Sequence, residues 1–295
     1  MEELKELQQK AKRSLLISIA VIVVIGIFVF LSKPDYAGFV VALIVIPIVI
    51  FVSLNSKFTK LFKETFVVKA LESVFTNLHY DPTRGLDRNI IANTGMLWMG
   101  NTYSSNDYIS GTYKDVNFVQ SDVKIQDVTT YTDSDGHTHT DTTNILIGKW
   151  MIFDFNKTFK ANVQVKSKFF SHTKLSIKMG ESRYKEVKME DVDFNKKFSV
   201  HAQDEHDAFY ILTPQLMEKI KSLSEDLKGK IMLCFIDNKL HVVLNNSKDS
   251  FEYSIFSKID EQIINDYVAR EIMVITDFID KLSLDNDIFK NWEYL

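Results

Sequence analysis

Ser14-Leu15-Leu16-Ile17-Ser18-Ile19-Ala20-Val21-Ile22-Val23-Val24-Ile25-Gly26-Ile27-Phe28-Val29-Phe30-Leu31-Ser32 runs without a charged residue, and its reading decides how the chain is organised. A hydrocarbon layer of ~30 Å needs about 20 helical residues at ~1.5 Å each. A second uncharged run, Tyr36 to Ser56, is built around Phe39, Val40, Val41, Leu43, Ile44, Val45 and Ile46. Buried helices of soluble domains seldom continue so far without a polar stripe. We therefore expect a transmembrane helical hairpin at 14–56, with spans at 15–31 and 37–54. A cleaved signal peptide would need a short apolar region and a small-residue cleavage site, and Phe28-Val29-Phe30-Leu31 supplies neither. The linker Ser32-Lys33-Pro34-Asp35-Tyr36 allows a tight antiparallel turn, with Pro34 stopping the first helix.

Basic residues beside the spans set the orientation. Lys5, Lys10, Lys12 and Arg13 precede the first, Lys57, Lys60 and Lys63 follow the second, and the linker offers Lys33. This predicts a multi-pass protein of the cell membrane with both termini cytoplasmic: a short segment at 1–13 and one large domain at 57–295. Neither span carries an ionisable side chain, so the pair reads as an anchor rather than a conduction path. Pro47 fits a structural kink.

Beyond the anchor, Phe58, Leu61, Phe62, Phe66, Ala70, Leu71, Val74, Phe75 and Leu78 recur at helical spacing. Lys57, Lys60, Lys63 and Lys69 fill much of the rest, as on a solvated helix face or one resting on an anionic membrane surface. From Tyr103 the period changes to two. Lys114-Asp115 joins two alternating runs as a hairpin, and a strand through Val123, Ile125 and Val128 returns through Ile145, Ile147, Trp150, Ile152 and Phe153. Further strands are expected at Ala161–Val165, Phe198–His201, Ile231–Ile236, Leu240–Leu244 and Phe251–Phe256. Thr213-Pro214 starts a helix as N-cap and first-turn proline, Asp237-Asn238 is a hairpin turn, and Ile259 to Leu282 is a periodic helix. Strands in the middle with helices on either side predict an α+β fold, a mostly antiparallel β domain with flanking helices.

The net charge of −4 argues against nucleic acid, whose phosphates call for surplus Lys and Arg. Cys234 is the sole cysteine, which excludes an intramolecular disulfide and a Cys-rich zinc site; its apolar strand makes it an inert thiol. The most chemical-looking stretch is Tyr131-Thr132-Asp133-Ser134-Asp135-Gly136-His137-Thr138-His139-Thr140-Asp141. His137 and His139 with Asp141 or Asp133 are proper zinc ligands, and two residues apart on a strand they point to one side. Asp135-Gly136 is equally a preferred turn pair at the tip of a long hairpin. His201 and His206 do not form a His-Glu-x-x-His helix, and Asp204 suits a helix N-cap before Ala208. No glycine-rich phosphate loop or nucleophile elbow occurs, and no cofactor is implied.

Several segments together resemble a family of bacterial membrane proteins, the domain of unknown function 3137. They are Gly111-Thr112-Tyr113-Lys114-Asp115-Val116-Asn117-Phe118, Ile147-Gly148-Lys149-Trp150-Met151-Ile152-Phe153-Asp154-Phe155, Val192-Asp193-Phe194, and Ala208-Phe209-Tyr210-Ile211-Leu212-Thr213-Pro214-Gln215-Leu216-Met217. The resemblance implies a membrane protein and assigns no reaction. These observations favour a membrane-anchored interaction or scaffold module over an enzyme, with the bilayer and a protein partner or second copy as its partners. A metal-dependent enzyme or sensor at His137, His139 and Asp141, and an anionic-lipid module at Lys57, Lys60, Lys63 and Lys69, are the alternatives.

Overall fold

A computed structural model describes residues 1–31, 37–155, 162–168, 184–227 and 229–284, and gives side-chain surroundings outside 28–31 and 37–44. The expected linker turn at 32–36 and the start of the strand expected at Ala161 lie outside the described residues. The chain divides into two compact units, one of residues Met1–Ser73 with Phe251–Arg270, the other of Val74–Ser250 with Glu271–Leu295.

In the first unit, α1 (Glu2–Leu31) packs against α2 (Ala37–Phe62). Helix α2 runs through one π turn (Lys63–Val67) into α3 (Val68–Val74). The expected stripe through Phe58, Phe62 and Phe66 is altered by that turn. Its extra residue moves the buried position from Phe66 to Val67, and Phe58, Phe62, Val67 and Leu71 form the buried row. Among the described residues, one helix is long and apolar enough to cross a membrane, Val45–Val74. Leu78, expected on the same helix, instead lies in a strand: the helix ends at Val74, and β1 begins at Thr76 and pairs with β2.

Phe251–Phe256 corrects another expectation. It alternates buried and exposed residues, the pattern that reads as a strand, but it forms turns without sheet pairing. Phe251 has φ of +56°, which bends the chain. Gln8 on α1 holds the stretch by donating from Nε2 to the carbonyls of Ile255 and Ser257, each at 2.7 Å.

The second unit is built on a sheet of nine strands among the described residues, in the order β1-β2-β3-β4-β9-β8-β5-β7-β6 and antiparallel throughout. They are β1 (Thr76–Asp81), β2 (Thr102–Tyr113), β3 (Val116–Thr132), β4 (Thr138–Asp154), β5 (Val163–Ser167), β6 (Lys185–Val187), β7 (Phe198–Ala202), β8 (Lys230–Ile236) and β9 (Lys239–Asn245). Both short hairpins have the expected turns. Lys114-Asp115 and Asp237-Asn238 each hold two positive φ angles, the geometry that matches strand twist. Asp204 and Thr213 cap α6 (Glu205–Ile211) and α7 (Pro214–Asp226) as expected.

Alternation along β4 sends its side chains to opposite faces. Trp150 joins Val123, Ile125, Met232, Cys234 and Val243 in a core closed by Leu86, Ile91, Met96 and Leu97. Lys149, Met151 and Phe153 face the other way, where Phe153 meets Phe278 of α8 (Glu261–Leu282) with ring centroids 6.2 Å apart. At Gly148, β4 and β9 approach so closely that a Cβ would overlap the Leu244 carbonyl oxygen. Gly148→Ala should therefore force the strands apart and cost about 1–3 kcal/mol, seen as a Tm lowered by roughly 2–12 °C; an unchanged Tm would refute so tight an approach.

Candidate functional site

The Lys149 face carries an unusual density of buried polar groups. Strand β2 shifts register between Asn106 and Ile109, and Asp107 in this bulge has φ of +51°. Asp is among the few side chains that accept that conformation, and here it is fully buried. Tyr80 on β1 donates its hydroxyl to Asp107 Oδ1 at 2.5 Å, and Asn106 Nδ2 donates to Asp107 Oδ2 at 2.8 Å and to Asp249 Oδ1 at 3.2 Å. Asp122 lies opposite Asn106 on one side and Lys149 on the other. Both of its oxygens accept from Ser250, from the hydroxyl at 2.7 Å and from the backbone N–H. Lys149, 1% exposed, donates to Ser250 Oγ and to Glu271 Oε2, the latter at 2.7 Å. Gln120, two residues along β3 from Asp122, is also fully buried, and neither amide atom has a hydrogen-bond partner among the described residues.

One ligand oxygen from each of Asp107, Asp122 and Asp249 lies within 4.8 Å of the others. Such carboxylates repel one another unless a cation or a proton intervenes. A hard cation such as calcium takes six or more oxygens, but the oxygens of Asp107 and Asp122 are already engaged by Tyr80, Asn106 and Ser250. The arrangement fits a proton better. Burial pushes the Asp122 carboxyl well above the ordinary carboxylate range, against the lowering influence of Lys149, and a hydrogen bond with Asp249 raises it further. Asp122 thus keeps its proton to higher pH than a solvated carboxyl. Chemically this is a closed, proton-sharing network that braces β2, β3 and β4 against the Asp249-Ser250 turn and α8.

A second buried polar pair lies on the opposite face. Trp150 Nε1 donates to His241 Nδ1 at 3.2 Å, which places the histidine proton on Nε2. Burial first, and then Lys239, lower His241 to about 4. Cys234, on that face, is fully buried, and burial pushes its thiol up to about 12, the inert state expected of it.

The residues singled out in the sequence fall elsewhere. His137, His139 and Asp141 sit at the exposed end of the β3–β4 hairpin, whose turn is made by Asp133 to Gly136. His139 Nε2 pairs with Asp133 Oδ2 at 2.7 Å, and the His137 N–H donates to Asp133 Oδ1 at 2.8 Å. The His139 hydrogen bond, then that of His137, holds the Asp133 carboxyl below its ordinary range. Among the described residues, the three-ligand grouping is that of Asp107, Asp122 and Asp249. Lys57, Lys60 and Lys69 are exposed, whereas Lys63 is 5% exposed and pairs with Glu252 at 2.8 Å. Lys63 therefore does not belong to a membrane-facing row, since the π turn rotates it into the first unit.

Residues 144–284 match the model of a family described as "Protein of unknown function (DUF3137)", the family that the segments resemble; the match contains the segments from Ile147 onward, and Gly111–Phe118 lies before it. No curated protein matches the chain. Among solved structures, it is similar to the crystal structure of the mycobacterial trehalose monomycolate transport factor A. The two share 9% identity and a TM-score of 0.39 over 77% of this chain and 94% of that one, a likeness that carries no functional argument.

Proposed function

We propose that this chain, whose residues 144–284 match the DUF3137 family model, is a membrane-anchored binding module. In this reading α1 and α2 cross the bilayer as a hairpin, and both termini lie on the lysine-rich cytoplasmic side. One observation carries it. Leu16, Ile17, Ile19, Ile22, Val23, Val24 and Ile27 on α1, and Val45, Ile46, Ile48, Val49, Ile50 and Val52 on α2, are all 41% exposed or more. A contiguous aliphatic surface of that extent marks a membrane or partner contact, and its length and lack of charge suit lipid.

The test is extraction of native membranes with alkaline carbonate. The full chain should remain in the pellet, and an Ile22→Asp/Val49→Asp variant should move to the supernatant, because each mid-span carboxylate costs ~2.5–3.5 kcal/mol. Release of the unsubstituted chain would end this reading.

For the binding role, the sheet unit offers exposed Val192 (66%), at the start of the short helix Val192–Lys197, and exposed Phe209 (40%) and Tyr210 (45%) on α6. A protein partner or second copy is the natural cover for such apolar and aromatic positions. Tethering concentrates weak contacts at the membrane, so modest affinity suffices. Pull-down from detergent extract with the full chain, compared with Phe209→Asp, should lose at least one specific partner; identical recoveries would count against this surface.

A further inference from the structure

We infer that the turn segment Phe251–Lys258 is a second membrane-contacting element. Phe256 sits in the interfacial layer of the bilayer, and the groove beside it receives the glycerol–acyl junction of a lipid. This rests on the anchor reading above and extends it to the other piece of the same unit.

The segment alternates strictly. Phe251, Tyr253 and Ile255 are buried, while Glu252, Ser254 and Phe256 point outward. Glu252 and Ser254 are polar, as an outward row in water should be, but Phe256 is 63% exposed. Leaving one phenyl ring in water forgoes about 1.5–3 kcal/mol of burial, and here the backbone is too well held for the ring to fold away. Tyr253 stacks on Phe62 with centroids 5.0 Å apart and donates its hydroxyl to the Lys258 carbonyl at 2.5 Å. Lys63 pairs with Glu252, Tyr267 donates to the Glu252 carbonyl at 3.2 Å, and Gln8 fixes the carbonyls of Ile255 and Ser257. Phe256 is thus presented on a braced turn.

What it is presented to follows from its neighbours. An open groove of about 300 Å³ runs between this turn and Phe51, Asn55 and Thr59 of α2. Those three residues are four apart, so they form one stripe along the helix. The stripe passes from Phe51, beside exposed Ile48 and Val52, to Asn55 and Thr59, and then meets exposed Lys57 and Lys60. The groove is therefore continuous with the aliphatic belt at one end and with the first basic residues at the other. Its α2 wall passes from Phe51 to Asn55 and Thr59, and the facing turn contributes Glu252, already paired with Lys63, together with Ser254 and Phe256. An α2 wall that changes from apolar to polar next to an exposed phenyl ring is the profile of the lipid interface, where aromatic side chains prefer to reside.

Nitroxide labelling in proteoliposomes of mixed zwitterionic and anionic lipid tests the inference. Cys234 is buried and its thiol is poorly ionised, so a label at Phe256→Cys reports one site, with Val49→Cys as the reference within the span. Both labels should collide more often with dissolved oxygen than with a water-soluble nickel chelate, Val49→Cys by the larger ratio. A Phe256→Cys label open to nickel, with Val49→Cys in lipid, overturns the inference and leaves the anchor standing. Shielding of Phe256→Cys from both reagents means protein, a second copy or a partner, covers the groove, and also overturns it. Nickel access at both positions removes the anchor as well.

Discussion

Lys149→Met should destabilise the sheet unit by about 3–5 kcal/mol, the usual consequence of removing one member of a buried charge pair. Lys149 is the cation that faces Asp122, Ser250 and Glu271, and methionine keeps its length without its charge. Glu271 is 20% exposed in its side chain and can recover water, but Asp122 is 3% exposed and cannot. Asp122 must then hold its proton, which is easier in acid. The loss should therefore grow as pH rises, because a carboxyl raised above the ordinary range keeps its proton in acid and must give it up in alkali. Thermal unfolding followed by circular dichroism should show Tm lowered by roughly 6–20 °C. Adding Asp122→Asn to Lys149→Met should recover part of the loss, because the uncompensated charge is gone. A loss below ~1 kcal/mol, the range of exposed pairs, would mean that the network is solvated rather than buried.

Acid should weaken the fold through His241. Its folded value of about 4 lies below the ordinary histidine value, so the unfolded chain takes up a proton at higher pH than the native one. The stability contributed by neutral His241 is complete above pH ~6.5 and is lost as pH falls toward the folded value, about 3 kcal/mol in all. Asp122 acts with opposite sign, since its raised carboxyl binds protons more tightly in the folded state. The two are separated by comparing the wild type with His241→Gln, which keeps an acceptor for Trp150 Nε1 and does not titrate. The stability difference between them should shift by about 3 kcal/mol between pH ~7 and ~4, with Asp122 cancelling. Parallel profiles would show that His241 does not couple to folding.

The elements themselves were largely legible because their signals are local. The Lys114-Asp115 and Asp237-Asn238 turns and the Asp204 and Thr213 caps each lie within a few residues of chain, the late helix keeps one period over its length, and the structure has them there. Local pattern failed where backbone geometry departs from a regular period. The π turn at Lys63–Val67 moved Lys63 inward, and Phe251–Phe256 keeps a period of two without any strand partner.

The buried network left almost no trace in the sequence. A lysine after Gly148 in the apolar stretch Ile145–Phe153 was its one local trace, and Asp122 looks like an ordinary polar position of β3. Asp122 and Ser250 are 128 residues apart, and Lys149 and Glu271 are 122 apart. The sequence by itself determined most of the helices and strands that the chain makes, since apolar period, capping and turn preference act over neighbouring residues. Tertiary structure alone decided which charges lose their water together, because that depends on strand register and on where a distant turn and helix come to rest.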